Sequence, residues 1–218
     1  VPEARVIPQL NFREAAEMSY YGAKVLHQRT MIPVAGKGIP VRSRNTMKPD
    51  APGTLIDGRF TPGSHPVKAI TAVRDHALLS VEGKGMAGVP GVAARVFGAL
   101  SKRGINVTMI SQSCAEASIC LAVPSADILT AEGALKRTFR ADISRGAIEE
   151  IVIRRHVGIV AAVGLGMART PGVAARLLGA VSARKLNILA IAQGSSELNV
   201  SVAVNESRCF PTLTDHER

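Results

Sequence analysis

Two glycine-rich loops, each running into an apolar helical stripe, hold the residues of this 218-residue sequence whose types and spacing could do chemistry. The first has Gly83, Gly85, Met86, Gly88 and Val89, followed by Asn106, Gln112 and Glu116. Free backbone N–H groups and the dipole at a helix start favour an anion such as an amino acid's carboxylate. Glycine lets the loop backbone come close to a ligand. Asn106 both donates and accepts, which suits an α-amino or α-carboxylate group, and Gln112 at a strand's end could reach a side-chain hydroxyl. Glu116 could serve an ammonium. The second loop, with Gly164, Gly166 and Met167, is followed in the same order by Asn187, Gln193 and Glu197. The competing use of the same residues is structural: glycines for tight packing, Asn106 for a turn, Gln112 for the surface.

Other chemistry is thin. No paired carboxylates, Cys–His pair or metal-ligand spacing occurs, so no complete active site and no metal are expected. Cys114, Cys120 and Cys209 are odd in number and form no Cys-x-x-Cys pair, which speaks against a disulfide or zinc framework and for a reducing cytoplasm. The formal charge of +10 comes from 27 Lys and Arg spread singly or in pairs, with no long basic run. With aromatics at 3% and no Trp, a base-stacking platform is absent and no nucleic-acid partner is expected. The longest apolar run, Val157–Ala168, is well short of the ~20 residues of a membrane span.

The elements that must position these residues come in two copies. Gly83–Val123 and Gly164–Val204 align without a gap at an offset of 81, with about half of the positions identical. Two copies are too few for a solenoid and indicate a tandem pair of modules. In the first, strand Leu78–Glu82, helix from Pro90 to Arg103, strand Ile105–Ile110, strand Ser118–Val123, helix Ala126–Thr138 and strand Ile148–Arg154 give β-α-β-β-α-β, the ferredoxin-like order. The second has strand Gly158–Val163, helix Pro171–Arg184 and strands Leu186–Ala192 and Leu198–Val204, then stops. An unpartnered strand upstream, Val67–Val73, is expected to complete it, so the first module is inserted in the second. The copies differ at the helix start, where Thr170 stands as an N-cap and Val89 does not, and where Arg169 adds a cation. An uncapped start would make the first module the better site.

Upstream, Asn11 and Glu14 form a capping box for a helix at 12–18. Pro33 and the cluster from Gly36 to Pro40 break the chain, Ile39–Arg44 alternates as a strand, and Lys48–Gly53 is a turn-rich loop. His27 suits a packed or capping role. The chain opens on Val1 and on residues that read like the middle of a domain, so a fragment or processed chain is expected.

The two repeats resemble the paired ACT domains of aspartate kinases, through Gly-x-Gly-Met, Pro-Gly at 90–91 and 171–172, Asn106 and Asn187, and Gln-x-x-x-Glu at 112–116 and 193–197. Phe12 to Ala15, Gly22 to His27, Ile39 to Val41 and Pro52 to Thr54 resemble the last segment of that family's kinase domain, with Gln28 replacing a usual proline. The resemblance implies an α+β chain. Residues 1–57 are the end of an α/β amino-acid-kinase domain, 58–66 a linker, and 67–76 the strand completing the second ACT module. The first module spans 77–155, the second 156–207, and 208–218 is an irregular tail. It further implies that the longer enzyme uses ATP and Mg2+ to phosphorylate aspartate, with Lys24 against the ATP phosphates and the rest of the kinase half missing. The ACT modules need no cofactor of their own, and would sense threonine or lysine and pair into a homodimer. The effector residues implied are Met86, Gly88, Val89, Asn106, Gln112 and Glu116, with Asn187 and Gln193 in the second copy. The rival is a free-standing small-molecule sensor without kinase activity, against which residues 1–57 argue.

Overall fold

The computed structural model describes residues 5–23, 26–60, 65–112, 118–194 and 196–209. They pack as two units, one drawn from 1–73, 160–185 and 193–201, the other from 74–159, 186–192 and 202–218.

The first unit starts with β1 (Gln9–Asn11), α1 (Phe12–Tyr20), α2 (Gln28–Gly36), β2 (Val41–Ser43) and β3 (Thr54–Asp57). The strands form a sheet of order β1-β3-β2, parallel between β1 and β3 and antiparallel between β2 and β3. Leu10, Phe12, Ala15, Met31 and Ile56 make its core. The capping box is formed: the Asn11 side chain accepts the Arg13 N–H at 2.9 Å, and Glu14 accepts the Asn11 N–H at 2.9 Å. Contrary to the expected break, α2 runs through Pro33. The ring of His27 accepts the Arg29 N–H at 3.2 Å and caps the helix. The carbonyl left without its helical donor at Pro33 belongs to Arg29, an exposed residue where water can serve it.

The remaining strands are β4 (Ala69–Glu82), β5 (Met109–Gln112), β6 (Ser118–Pro124), β7 (Glu150–Val163), β8 (Ile188–Gln193) and β9 (Asn199–Asn205), in one sheet of order β5-β6-β4-β7-β9-β8. Between them lie α3 (Val92–Ser101), α4 (Ile128–Thr138), α5 (Arg140–Ser144), α6 (Val173–Ala183) and α7 (Glu206–Cys209). Four strands read separately from the sequence are only two. Val67–Val73 and Leu78–Glu82 merge into β4, and Ile148–Arg154 and Gly158–Val163 merge into β7. The joint in each is a non-glycine residue with positive φ, Asp75 and His156, both at 58°, and the strand continues through it. Substituting β7 for β4, β8 for β5 and β9 for β6, the strand order reads the same from either end. The fold is mixed α+β with two ferredoxin-like modules.

Each glycine loop is seated on backbone. A Cβ on Gly83 would lie 2.4 Å from the Ala147 carbonyl oxygen, and one on Gly164 would lie 2.3 Å from that of Pro66. Beside them Glu149 N–H donates to the Glu82 carbonyl and Lys68 N–H to the Val163 carbonyl, each at 2.8 Å. Both contacts are the same contact at the repeat offset.

In the second unit, Ala77, Leu79 and Val81 of β4 stand opposite Val123, Leu121 and Ile119 of β6, and alternate residues face one side. They pack with Val96 and Leu100 of α3, Ile128, Ala131 and Leu135 of α4, and Phe139. Each large side chain buried there contributes about 1.5–3 kcal/mol. Arg95 of α3 bonds the Thr138 carbonyl at 2.9 Å and Asp142 at 2.5 Å, with its guanidinium 4.4 Å from the Phe139 ring centroid. The Arg95 hydrogen bond, against some opposing burial and with Arg145 assisting, holds the Asp142 carboxyl below its ordinary range.

Gly83→Ala should lower stability by about 2–3 kcal/mol because backbone must move. Gly179→Ala, where an added Cβ meets nothing within 4 Å, should raise it by about 0.5–1 kcal/mol. Urea melts of both variants check the contrast. A depressed Asp142 contributes stability fully present above the unfolded aspartate value of about 3.9 and lost as pH falls through its lower folded value. Asp142→Asn should therefore flatten the acid limb of Tm against pH below about 4.

Candidate functional site

Helix α3 begins two residues later than Pro90 suggests, at Val92, because Gly91 adopts φ 88° and turns the chain into the helix. No side chain caps this start. Its first residues, Val92 and Ala93, line a cavity of about 290 Å³ together with Met86, Gly88, Val89, Gln112 and Ile119. The volume sits at the low end of the ~300–1,000 Å³ range of ligand clefts and has room for a small amino acid. Met86 is 3% exposed and gives an apolar floor, while Val89 is 49% exposed. The open helix start supplies N–H donors for a carboxylate, and Gln112 supplies an amide that both donates and accepts.

Four of the residues anticipated for the first module thus share one cavity. Asn106 does not join them. It lines a separate cleft of about 370 Å³ with Phe97, Leu100 and Gly104, at the far end of α3. A helix of 10 residues puts the two ends ~15 Å apart. Glu116 and Lys24 lie outside the described residues. Val92, Ala93 and Ile119 were missed by sequence reasoning, although the shared Gly-Val-Ala at 91–93 and 172–174 marked the two helix starts.

The glycines divide by role. Gly83 and Gly85 have backbone or side-chain atoms of Ala147 within 3 Å of an added Cβ and serve packing, whereas Gly88 faces open space at the cavity.

In the second copy the expected cap is not one. Thr170 Oγ1 donates to the Gly166 carbonyl at 2.9 Å, inside the loop, and α6 starts after Gly172 (φ 84°) with no side-chain cap. The helix starts are alike, and the expected difference between them is not in capping. Thr170 sits two residues before the N-cap, so its hydroxyl turns back on its own loop. Arg169 stacks 5.5 Å from the Phe60 ring centroid. Asn187 and Gln193 are exposed, and Met167, Ala162 and Val173 are packed with Val67 and Leu177.

A family model described as ACT domain matches residues 79–139 and 160–213. The chain belongs to that family. A bifunctional aspartokinase/homoserine dehydrogenase 1, chloroplastic, of Arabidopsis thaliana is 44% identical over 98% of the chain and 24% of its own length. Among solved structures, Clostridium acetobutylicum aspartate kinase matches with TM-score 0.82 and 28% identity over 94% of this chain and 47% of its own. E. coli aspartokinase III with lysine and aspartate matches with TM-score 0.72 and 29% identity, over 95% of this chain and 44% of its own. The resemblance to the ACT-bearing part of aspartate kinases is therefore shown, and the chain spans about a quarter of the length of such curated relatives. Among the described residues, no helix is long and apolar enough to cross a membrane, and no cluster of three His, Cys, Asp or Glu could hold a metal ion.

Thr170→Ala should cost about 0.5–1.5 kcal/mol by removing a loop hydrogen bond, with helix content unchanged. Circular dichroism beside a thermal melt reads both, and a loss of α6 helicity would restore the capping role.

Proposed function

We propose that the chain is the amino-acid-sensing, regulatory part of an aspartate kinase, and that the cavity at the start of α3 binds the feedback effector, threonine or lysine. The observation that carries this reading is the uncapped helix start opening on a cavity with an apolar floor and one amide, Gln112. The effector's carboxylate would take the free N–H groups of α3, and its side chain would meet Met86 and Gln112. A neutral amide suits the hydroxyl of threonine, which tilts the choice toward it. The E. coli aspartokinase III structure in complex with lysine and aspartate supports an amino acid as the ligand class.

The parent enzyme would transfer the γ-phosphoryl of ATP, with Mg2+, to the β-carboxylate of aspartate, in the pathway to lysine, threonine and methionine. Lys24 is the residue of this chain proposed to meet the ATP phosphates, as a point cation. Lys24 lies outside the described residues, so no step of phosphoryl transfer is derived from it. Residues 67–76 are proposed to complete the second module, whose bounds are otherwise 156–207. The cysteines without a pairing pattern suit a reducing compartment such as the cytoplasm.

A homodimer through the ACT modules fits two observations. β5 and β8 are the edges of the six-stranded sheet, and their matched residues Ile110 and Ile191 are 48% and 43% exposed. Asn106 could join the cavity only from a second copy, since its own chain holds it at the other end of α3.

Threonine at 100 times its Kd should stabilise the chain by about 2.7 kcal/mol, read as a rise in Tm that methionine does not give. Gln112→Ala should weaken binding about three- to tenfold by calorimetry. No Tm change with threonine or lysine would sink the reading.

A further inference from the structure

Glu14 is a carboxylate with no exposed surface, and its partners come from three separate stretches of the first unit. One oxygen accepts the Asn11 N–H at 2.9 Å and lies 3.3 Å from Lys68 Nζ. The other accepts the backbone N–H of Leu165 at 2.8 Å. Lys68 also donates from Nζ to the Gln9 carbonyl at 3.2 Å. The carboxylate thus closes bonds to the start of α1, to the residue before β4 and to the first turn of the second glycine loop.

The contact continues along α1. Three residues on, Glu17 accepts a hydrogen bond from Asn199 of β9, and seven residues on, Tyr21 is hydrogen-bonded to Ser201 of the same strand. Spacing of three and seven is one face of a helix. At the repeat offset the counterpart of Lys68 is Glu149, so the first module lacks the cation that this arrangement uses. A buried carboxylate persists only where fixed donors replace water, and removing one donor leaves the others facing an unmet charge. Because the donors of Glu14 sit on different elements, they hold it together or not at all.

We propose that Glu14 clasps α1 to the glycine turn of the second module so that the two open and close as one cooperative unit. Through this clasp, a change in the second module reaches the end of α1 in the kinase-like first block. The existence of the clasp is independent of the effector reading; its consequence for catalysis rests on that reading.

Hydrogen exchange by mass spectrometry on the full 218-residue chain tests it. Glu14→Gln should speed exchange about tenfold or more in peptides covering both 12–21 and 160–169, and leave 119–135 of the first module unchanged. Asn199→Ala, which leaves Glu14 in place, should speed exchange in the same two segments by a smaller, equal factor. Faster exchange in 12–21 with none in 160–169 in either variant overturns the clasp. If Glu14→Gln does not fold, judged by circular dichroism, Asn199→Ala decides alone. Added threonine or lysine reads the other question: absence of protection at 86–93 removes the effector reading, while the paired response of α1 and the turn still decides the clasp.

Discussion

Neither module owns a complete set of strands, and that constraint governs the rest of the molecule. β4 and β7 are each 14 residues long, and each carries at its centre a non-glycine residue with positive φ. The residues just before each strand receive the glycine loops: Ala147, three before β7, seats Gly83, and Pro66, three before β4, seats Gly164. The loops lead into the left-handed glycines from which α3 and α6 begin.

Identical backbone has been given unlike surroundings. Both helices start from a left-handed glycine without a side-chain cap. The first start opens on a cavity. The second loop is engaged elsewhere: Thr170 folds back on Gly166, Arg169 lies over Phe60, and the N–H of Leu165 is taken by Glu14. The asymmetry arises partly in the loop, where Arg169 and Thr170 replace Gly88 and Val89, and partly from Phe60 and from Glu14 of the first block. One copy is left with an open cavity, and the other is tied into the chain's own first block.

Much of this was legible because two copies of one pattern reinforce each other. The helices and the central strands follow from apolar periodicity, and the capping box at Asn11 and Glu14 from local side-chain chemistry. What the sequence hid was non-local or rare. β1 pairs in parallel with β3, Gln9 beside Leu55, across a gap no turn signal announces. The merging of four strands into two depends on Asp75 and His156 adopting a conformation that favours glycine or asparagine. Pro90 pointed to a helix start that Gly91 delays. Most consequential, Glu14 satisfied a local rule so well that nothing in its neighbourhood signalled Lys68 or Leu165.

The shared strands also bear on how the chain reaches its native state. The hydrogen bond from Lys68 to Val163 joins residues some 95 positions apart, and the whole first module lies between them. Closing so long a loop costs entropy that is returned only once the intervening segment is compact. Folding should then proceed from the inside outward, with the first module as the nucleus. The early strand from Ala69 waits for β7, which is synthesised only after most of the first module. Until then its unpaired edge is open to chaperones and to misassociation.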